Sequence, residues 1–340
     1  MKTTTNKINY IGSFPPPYGG VTIRNSEFLK ALNRKYKIEI FNTSELNNVF
    51  KYIKLLFFLL KNRKNNGIIS TSTPSFIKLT KILNRFFSYL MPKYIIITAG
   101  GSVDKHLLNS NISNNVFNKY RKYFVETNIL ITNITELGIN NVNFLPNCRL
   151  KPKNRFFKER ESNNLMKFIS ISRISHEKGI DTILKADKLL KENNNYHIDF
   201  YGPIDKEIKS EFLNYIDNKN VFYKGIFEGD KFDINDLLVD YDVLLFPTRH
   251  LSEGHAGVLT NAKIAGCAII ATDINANTDI VKDNINGLII KESTAELLAE
   301  SMLKLLDNLN FLDKIKIESY ESAKVYFVEN HIDKLIDALN

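Results

Sequence analysis

Two stretches place charged side chains where a parallel sheet would meet a ligand. In FISISRISHEKGIDTILKA an apolar run that reads as a strand ends at Arg173, and Lys178 follows five residues later at the start of a helical pattern. Two fixed cations at the carboxyl end of a strand suit a diphosphate, whose charge they can neutralise without a metal ion. In LSEGHAGVLTNAKIAG, directly after the proline-ended run DVLLFPTRH, Glu253 and Gly254 stand at the mouth of a turn. Gly257 then opens a helix, and Asn261 lies one turn further on. Near the start, IGSFPPPYGGVTIRN sets Gly19 and Gly20 between a proline-stiffened loop and a helix, where backbone N–H groups can approach a phosphate. Taken singly these signals stay open. Ser252 or Glu253 could be a plain helix cap, Arg173 and Lys178 a solvated turn, and Gly-Gly an ordinary bend.

The elements needed to position these residues are legible as periodicity. Strands are expected at 7–13, 37–43, 67–73, 93–99, 123–127 and 141–147, and again at 166–172, 197–203, 221–226, 242–247, 268–273 and 287–290. Helical patterns fall between them, near 21–34, 46–64, 75–90, 113–121 and 128–138, then near 179–192, 205–217, 230–240, 256–266 and 294–307. Strict alternation of the two predicts parallel sheets wound with helices. The polar stretch KPKNRFFKERESNN, 151–164, reads as a linker between a domain at 1–150 and one at 165–324, with a C-terminal helix near 325–340 free to pack back on the first. Two such domains leave a cleft at the carboxyl ends of their strands. In the helix at 256–266, Val258, Ala262 and Ala265 share the spacing of a core face, and Asn261 is expected to face the cleft.

Composition narrows the class. The chain has 340 residues, 44% of them hydrophobic and 24% charged, which is ordinary for a globular protein. Cys148 and Cys267 are far apart without metal spacing, and MKTTTNKINYIGS carries no long apolar run, so a reducing, cytoplasmic setting is expected. Net charge is +9, but residues 1–150 hold 21 Lys and Arg against 6 Asp and Glu, a balance of +15, whereas the remainder holds 25 against 31. That sorting suggests an anionic partner surface for the first half. The segment VFKYIKLLFFLLKNRK, 49–64, is apolar nearly all round, with Lys51, Lys54, Lys61 and Lys64 inside one 140° arc. It is too short to span a bilayer, which takes roughly 20 residues, so it either docks in the membrane interface or is buried on the first sheet with its lysines snorkelling.

With Arg173, Lys178 and EGHAGVLTNA assembled, the chain resembles the family-4 glycosyltransferases of the GT-B fold, essentially over its whole length. In that family the second domain carries R-x4-K and E-x7-E, and a nucleotide-sugar binds between the domains. The resemblance implies that Arg173 and Lys178 stabilise the leaving diphosphate and that Glu253 lies near the donor sugar or phosphates. Since the diphosphate wants the same helix end, Glu253 is expected to accept hydrogen bonds from sugar hydroxyls. Gly254 and Gly257 are expected beside the donor, with Ile226 and Phe227 against its base. Asn261 replaces the second glutamate, which grips the ribose. Asparagine still hydrogen-bonds to hydroxyls but is shorter and neutral. In YIIITAGGSVDKH, Ala99 stands where many relatives have a histidine, ahead of the acceptor-side residues Gly100, Gly101 and Ser102. IGSFPPPYGGV, TAGGS, FVET, NVNFLPN and LFPTRHLSEG look like a branch of bacterial capsule and exopolysaccharide transferases in which that histidine is often absent.

The expectation is therefore a cytosolic, peripherally membrane-associated enzyme that moves a hexose-type sugar from a nucleotide diphosphate donor to a lipid-linked glycan. Retention of configuration, no cofactor and no metal are implied by the resemblance. A catalytically impaired nucleotide-sugar-binding or scaffold protein of the same fold is the alternative. Other classes find less support. Asp240-x-Asp242 precedes a strand instead of ending one, as a Mg²⁺-holding D-x-D would. No H-E-x-x-H, no G-x-S-x-G and no nucleic-acid-binding module is present.

Overall fold

The computed structural model describes residues 7–16, 19–44, 49–152, 165–190, 193, 195–216, 220–229, 233–274 and 276–340. Most of the expected linker, 153–164, lies outside the described residues, as do 46–48, 191–192, 217 and 230–232 of four expected helices. The chain forms two compact units, Met1–Lys151 with Tyr326–Asn340, and Pro152–Val325.

The first unit runs β1 (Lys7–Gly12), α1 (Gly20–Leu32), β2 (Lys37–Asn42), α2 (Val49–Lys61), β3 (Asn66–Ser72), α3 (Thr73–Phe86), β4 (Tyr94–Ala99), α4 (Val103–Leu108), α5 (Asn114–Phe117), β5 (Lys122–Val125), α6 (Asn128–Glu136) and β6 (Val142–Phe144). Its six strands are all parallel, in the order β2-β1-β3-β4-β5-β6. The inner strands β1, β3 and β4 are buried almost end to end, and their sequences are correspondingly continuous in Ile, Tyr and Thr. β2, at the edge, is only partly covered and reads as an alternating KIEIFN. One face of the sheet packs Ile11, Ile69 and Ile96 against Leu55 and Leu59 of α2 and Phe76, Leu79 and Leu83 of α3.

The second unit runs β7 (Met166–Ile171), α7 (Ile180–Leu189), β8 (Tyr196–Tyr201), α8 (Lys209–Tyr215), β9 (Val221–Tyr223), α9 (Ile234–Leu238), β10 (Val243–Phe246), α10 (Gly257–Ile264), β11 (Ala268–Thr272), α11 (Asn277–Ile280), β12 (Leu288–Ile290), α12 (Ala295–Leu306) and α13 (Leu309–Ser322). This sheet is also parallel, ordered β12-β11-β10-β7-β8-β9. The chain then returns to the first unit as α14 (Ile332–Leu339). Leu335, Ala338 and Leu339 join Ile8, Tyr10, Phe28 and Ile95 in the core on the α1 face. Asn66 Nδ2 and Arg121 Nη1 donate to the Leu339 carbonyl at 2.6 and 2.7 Å, tying the chain end to β3 and β5.

All twelve expected strands are present, while the helices differ in places. The helix expected over 75–90 stops at Phe86, and a 3₁₀ segment, Ser88–Lys93, follows with Pro92 inside it. Phe87, at φ −141° and ψ +34°, has left helical backbone, and there the helix ends. The pattern at 113–121 yields only Asn114–Phe117. α4, α11 and α13 had no counterpart in the periodicity. In α13 the buried positions are Leu312, Ile315, Lys316 and Ser319, a helical spacing hidden because two of its four members are polar.

Lys316 explains that polarity. Its ammonium donates to Asp242 Oδ1 at 2.7 Å with both side chains buried, while Asp242 Oδ2 accepts the Lys167 N–H at 3.0 Å. Asp242 thus ties α13 to the amino ends of β7 and β10. Asp242→Ala strands a buried ammonium and is expected to cost about 3–5 kcal/mol of stability in urea unfolding.

Candidate functional site

In the second unit the site is built at the carboxyl ends of β7 and β10. Past β7, Ser175 caps a 3₁₀ turn, His176–Lys178, its hydroxyl accepting the Lys178 N–H at 3.3 Å. Gly179 ends the turn at φ +72°, and a Cβ there would stand 2.0 Å from the Pro247 carbonyl oxygen. Only glycine satisfies both the left-handed backbone and that approach. The turn therefore lies against the segment that leaves β10, and Lys178 Nζ reaches Glu253 as an ion pair, with side-chain exposures of 18% and 17%. The same ammonium sits 5.8 Å from the centroid of the Phe246 ring. Arg173 is more open, at 59%, with Asp205 at 3.9 Å. The turn thus offers one exposed guanidinium and one ammonium oriented by a carboxylate, a donor set suited to an anion.

Arg249, which sequence reasoning passed over, holds the two segments in register. Its N–H donates to the Glu177 carbonyl at 2.8 Å, and Nη1 donates to the His176 carbonyl at 3.0 Å. Nη1 and Nη2 grip Asp181 at 2.9 and 3.1 Å, and Nη2 also donates to Thr182. Burial pulls the Asp181 pKa up, but the bonds and charge of Arg249, with His176, outweigh it and hold the carboxyl below its usual range. His250 bonds Glu177 at 2.8 Å and lowers that carboxyl in the same way. An Arg–Asp pairing 68 residues apart leaves no mark on local periodicity.

Gly254 is half-buried, and Gly257 is the first residue of α10. Asn261 is 3% exposed, and burial of α10 extends well beyond the face of Val258, Ala262 and Ala265 that spacing predicts. Val258 is only partly covered, whereas Leu259, Thr260, Asn261, Ala262, Lys263 and Ile264 are all enclosed. Lys263 survives burial by donating to the Ile280 carbonyl at 2.7 Å, and desolvation, helped by the nearby Lys282 charge, pushes its pKa down to about 7. After β9, Ile226 is 63% exposed and Phe227 half-buried. Asp240 and Asp242 lie at the amino end of β10, the opposite end from Glu253.

In the first unit Gly19 caps α1 and Gly20 is its first residue, with open space where either Cβ would be. Thr22 Oγ1 accepts the Gly19 N–H at 2.9 Å. Ala99 ends β4 and accepts from Thr73 Oγ1 at 3.3 Å. Gly100 follows at φ +110°, Gly101 is half-buried and Ser102 caps α4. Beneath them lies a second feature the sequence did not announce. Arg24 of α1 and Glu126 at the end of β5 form an ion pair at 2.6 Å, 1% and 3% exposed. Glu126 Oε2 accepts the Gly100 N–H at 3.3 Å, and Arg24 also donates to Thr98 O and Ser70 Oγ. One buried pair thus joins the helix behind Gly19-Gly20 to the loop of Gly100–Ser102. An arginine one turn into a helix is ordinary, so no sequence signal marks it.

Residues 152–322 match the family described as glycosyl transferases group 1, half of the chain, and the protein belongs to that family. It is similar to an uncharacterized glycosyltransferase of Methanocaldococcus jannaschii, 26% identical over 93% of this chain and 77% of that protein. It is also similar to the N,N'-diacetylbacillosaminyl-diphospho-undecaprenol alpha-1,3-N-acetylgalactosaminyltransferase of Campylobacter jejuni, 25% identical over 56% of this chain and 48% of that enzyme. Among solved structures, HepE of Anabaena in complex with UDP and glucose shares the fold, with a TM-score of 0.72 at 13% identity, covering 98% of this chain and 99% of that one. The two parallel α/β sheets are those of the GT-B fold.

Two outcomes test this geometry. Gly179→Ala forces an L residue into left-handed backbone against Pro247 and is expected to cost at least about 1–2 kcal/mol in chemical denaturation. For Lys263 the folded pKa lies below the unfolded one, so between pH 7 and about 10 the unfolded chain binds the extra proton and stability rises with pH. The slope approaches about 1.4 kcal/mol per pH unit. Lys263→Met is expected to remove that component, read as the difference between the two proteins in urea titrations across this range.

Proposed function

We propose that the protein transfers a hexose-type sugar from a nucleoside diphosphate sugar to a lipid-linked surface glycan, with retention of configuration and without a metal ion. The observation that carries the reading is the Lys178–Glu253 pair at the carboxyl ends of β7 and β10, with Arg173 just past the end of β7, in a chain that belongs to the group 1 glycosyl transferases. When the diphosphate takes Lys178, the Glu253 carboxylate is released to accept hydrogen bonds from sugar hydroxyls. Lys178 and Arg173 then stabilise the charge that develops as the glycosidic bond to phosphate breaks. The acceptor hydroxyl attacks on the face from which the diphosphate leaves.

Gly254, Gly257 and Asn261 serve the donor from the second unit, with Ile226 and Phe227 against its base. Gly19 and Gly20 leave the head of α1 open to a phosphate, with the Gly19 N–H already given to Thr22 and Gly20 left to approach it, and Gly100, Gly101 and Ser102 take the acceptor. The lipid-linked acceptor is supported by the name of the Campylobacter relative, whose acceptor is a diphospho-undecaprenol-linked sugar. An enzyme with such an acceptor works at the cytoplasmic face of the membrane. Among the described residues no helix is long and apolar enough to cross one.

Thermal-shift screening against UDP-, GDP- and ADP-sugars identifies the donor, beginning with UDP because HepE was solved with it. Arg173→Ala or Lys178→Ala is expected to lower turnover about 10²-fold or more, and EDTA to leave turnover unchanged. Wild-type turnover in both variants would overturn the phosphate site. Donor binding without any transfer would favour the non-catalytic reading that Ala99 and Asn261 raise.

A further inference from the structure

We infer that the outer face of α2 is a docking surface for an anionic lipid bilayer, entered by an apolar stripe and flanked by lysines. The helix has two apolar faces. Leu55 and Leu59 are buried against the sheet of the first unit, and Phe58 packs beside them on Phe41. On the opposite side Phe50, Ile53, Phe57 and Leu60 are 70, 43, 68 and 41% exposed. At 100° per residue these four fall within 80° of one another, and from Phe50 to Leu60 the stripe is about 15 Å long. Large apolar side chains scattered singly over a surface need no explanation, but four on one helix stripe mark a contact.

Charge selects the occupant. The helix sequence VFKYIKLLFFLLK contains no acid. Lys54 and Lys61, both exposed, project within 60° of Phe57 along one margin of the stripe, and the exposed Arg63 and Lys64 follow the helix end. Lys51, expected in the same arc, is half-buried. The surrounding 150 residues carry +15. A helix of 13 residues is too short to cross a bilayer but suits the interface plane, with aromatic rings among the acyl chains and ammonium groups at anionic headgroups. A neutral apolar partner would gain nothing from the lysines, and a nucleic acid nothing from the exposed phenylalanines. The placement explains how the lysines and the apolar side chains act together, since the stripe supplies a salt-resistant part of the binding and the cations a screened part.

The test is flotation of the full chain with phosphatidylcholine vesicles, with and without phosphatidylglycerol. The wild type is expected on the anionic vesicles, with retention that falls but persists as salt rises. Phe50→Glu with Phe57→Glu is expected to lower the partition about tenfold or more at every salt concentration. Lys54→Gln with Lys61→Gln is expected to lose mainly the salt-sensitive part. All four positions are exposed, so the melting temperature and the nucleotide-induced thermal shift are expected to match wild type in both variants. Equal retention of the wild type and the double glutamate variant would overturn the inference, as would absence of the wild type from anionic vesicles. A dimer seen by light scattering and dissociated by Phe57→Glu, in a protein that ignores vesicles, would overturn it in favour of a second copy as occupant. Vesicle binding is measured without donor or acceptor, so an inactive protein that still floats sinks the transferase reading and leaves this one standing.

Discussion

The approach of Gly179 to the Pro247 carbonyl is the constraint on which the second unit's site depends. Because no side chain stands between them, the turn after β7 and the segment after β10 lie in contact, and Lys178 can meet Glu253 across the two strand ends. Arg249 then closes the junction by donating to the carbonyls of His176 and Glu177 and gripping Asp181. The result is an ammonium oriented by Glu253 across the two strand ends. Arg173 lies outside this clamp, with Asp205 at 3.9 Å.

Buried charge recurs as a fastening device at a distance from that site. Arg24 and Glu126 fasten α1 to β5 beneath the Gly100 loop, and Lys316 and Asp242 fasten α13 to the amino ends of β7 and β10. Each pair makes further hydrogen bonds, Arg24 to Thr98 O and Ser70 Oγ and Asp242 to the Lys167 N–H, which offset part of the desolvation, although Arg24 Nε is left unbonded. Lys263 answers burial differently, with a pKa lowered by desolvation while its ammonium donates to the Ile280 carbonyl. The first two fix geometry at neutral pH, whereas the third makes stability pH-dependent.

α2 unites two demands that composition alone leaves unresolved. Burial on the sheet uses Leu55 and Leu59, and the remaining apolar side chains face outward next to lysines. An amphipathic helix in a soluble protein would turn a polar face to water. This one turns Phe50 and Phe57 outward.

The sequence by itself determined the twelve strands, the alternation that makes both sheets parallel, and the residue types at the strand ends. Apolar runs of four to seven residues bounded by turn residues leave few alternatives, and Arg173, Lys178 and Glu253 stand where those runs stop. Short helices and α13 escaped, because Lys316 and Ser319 occupy buried positions that pattern reading assigns to the surface. Only tertiary structure decided which cations meet which carboxylates. Lys178 finds Glu253 75 residues away, and Arg24 finds Glu126 after 102. It decided equally that Lys263 is enclosed and that Phe57 is not. Periodicity reports one helix against an average environment, whereas burial depends on what neighbouring elements place against each face, and that is written nowhere in the local sequence.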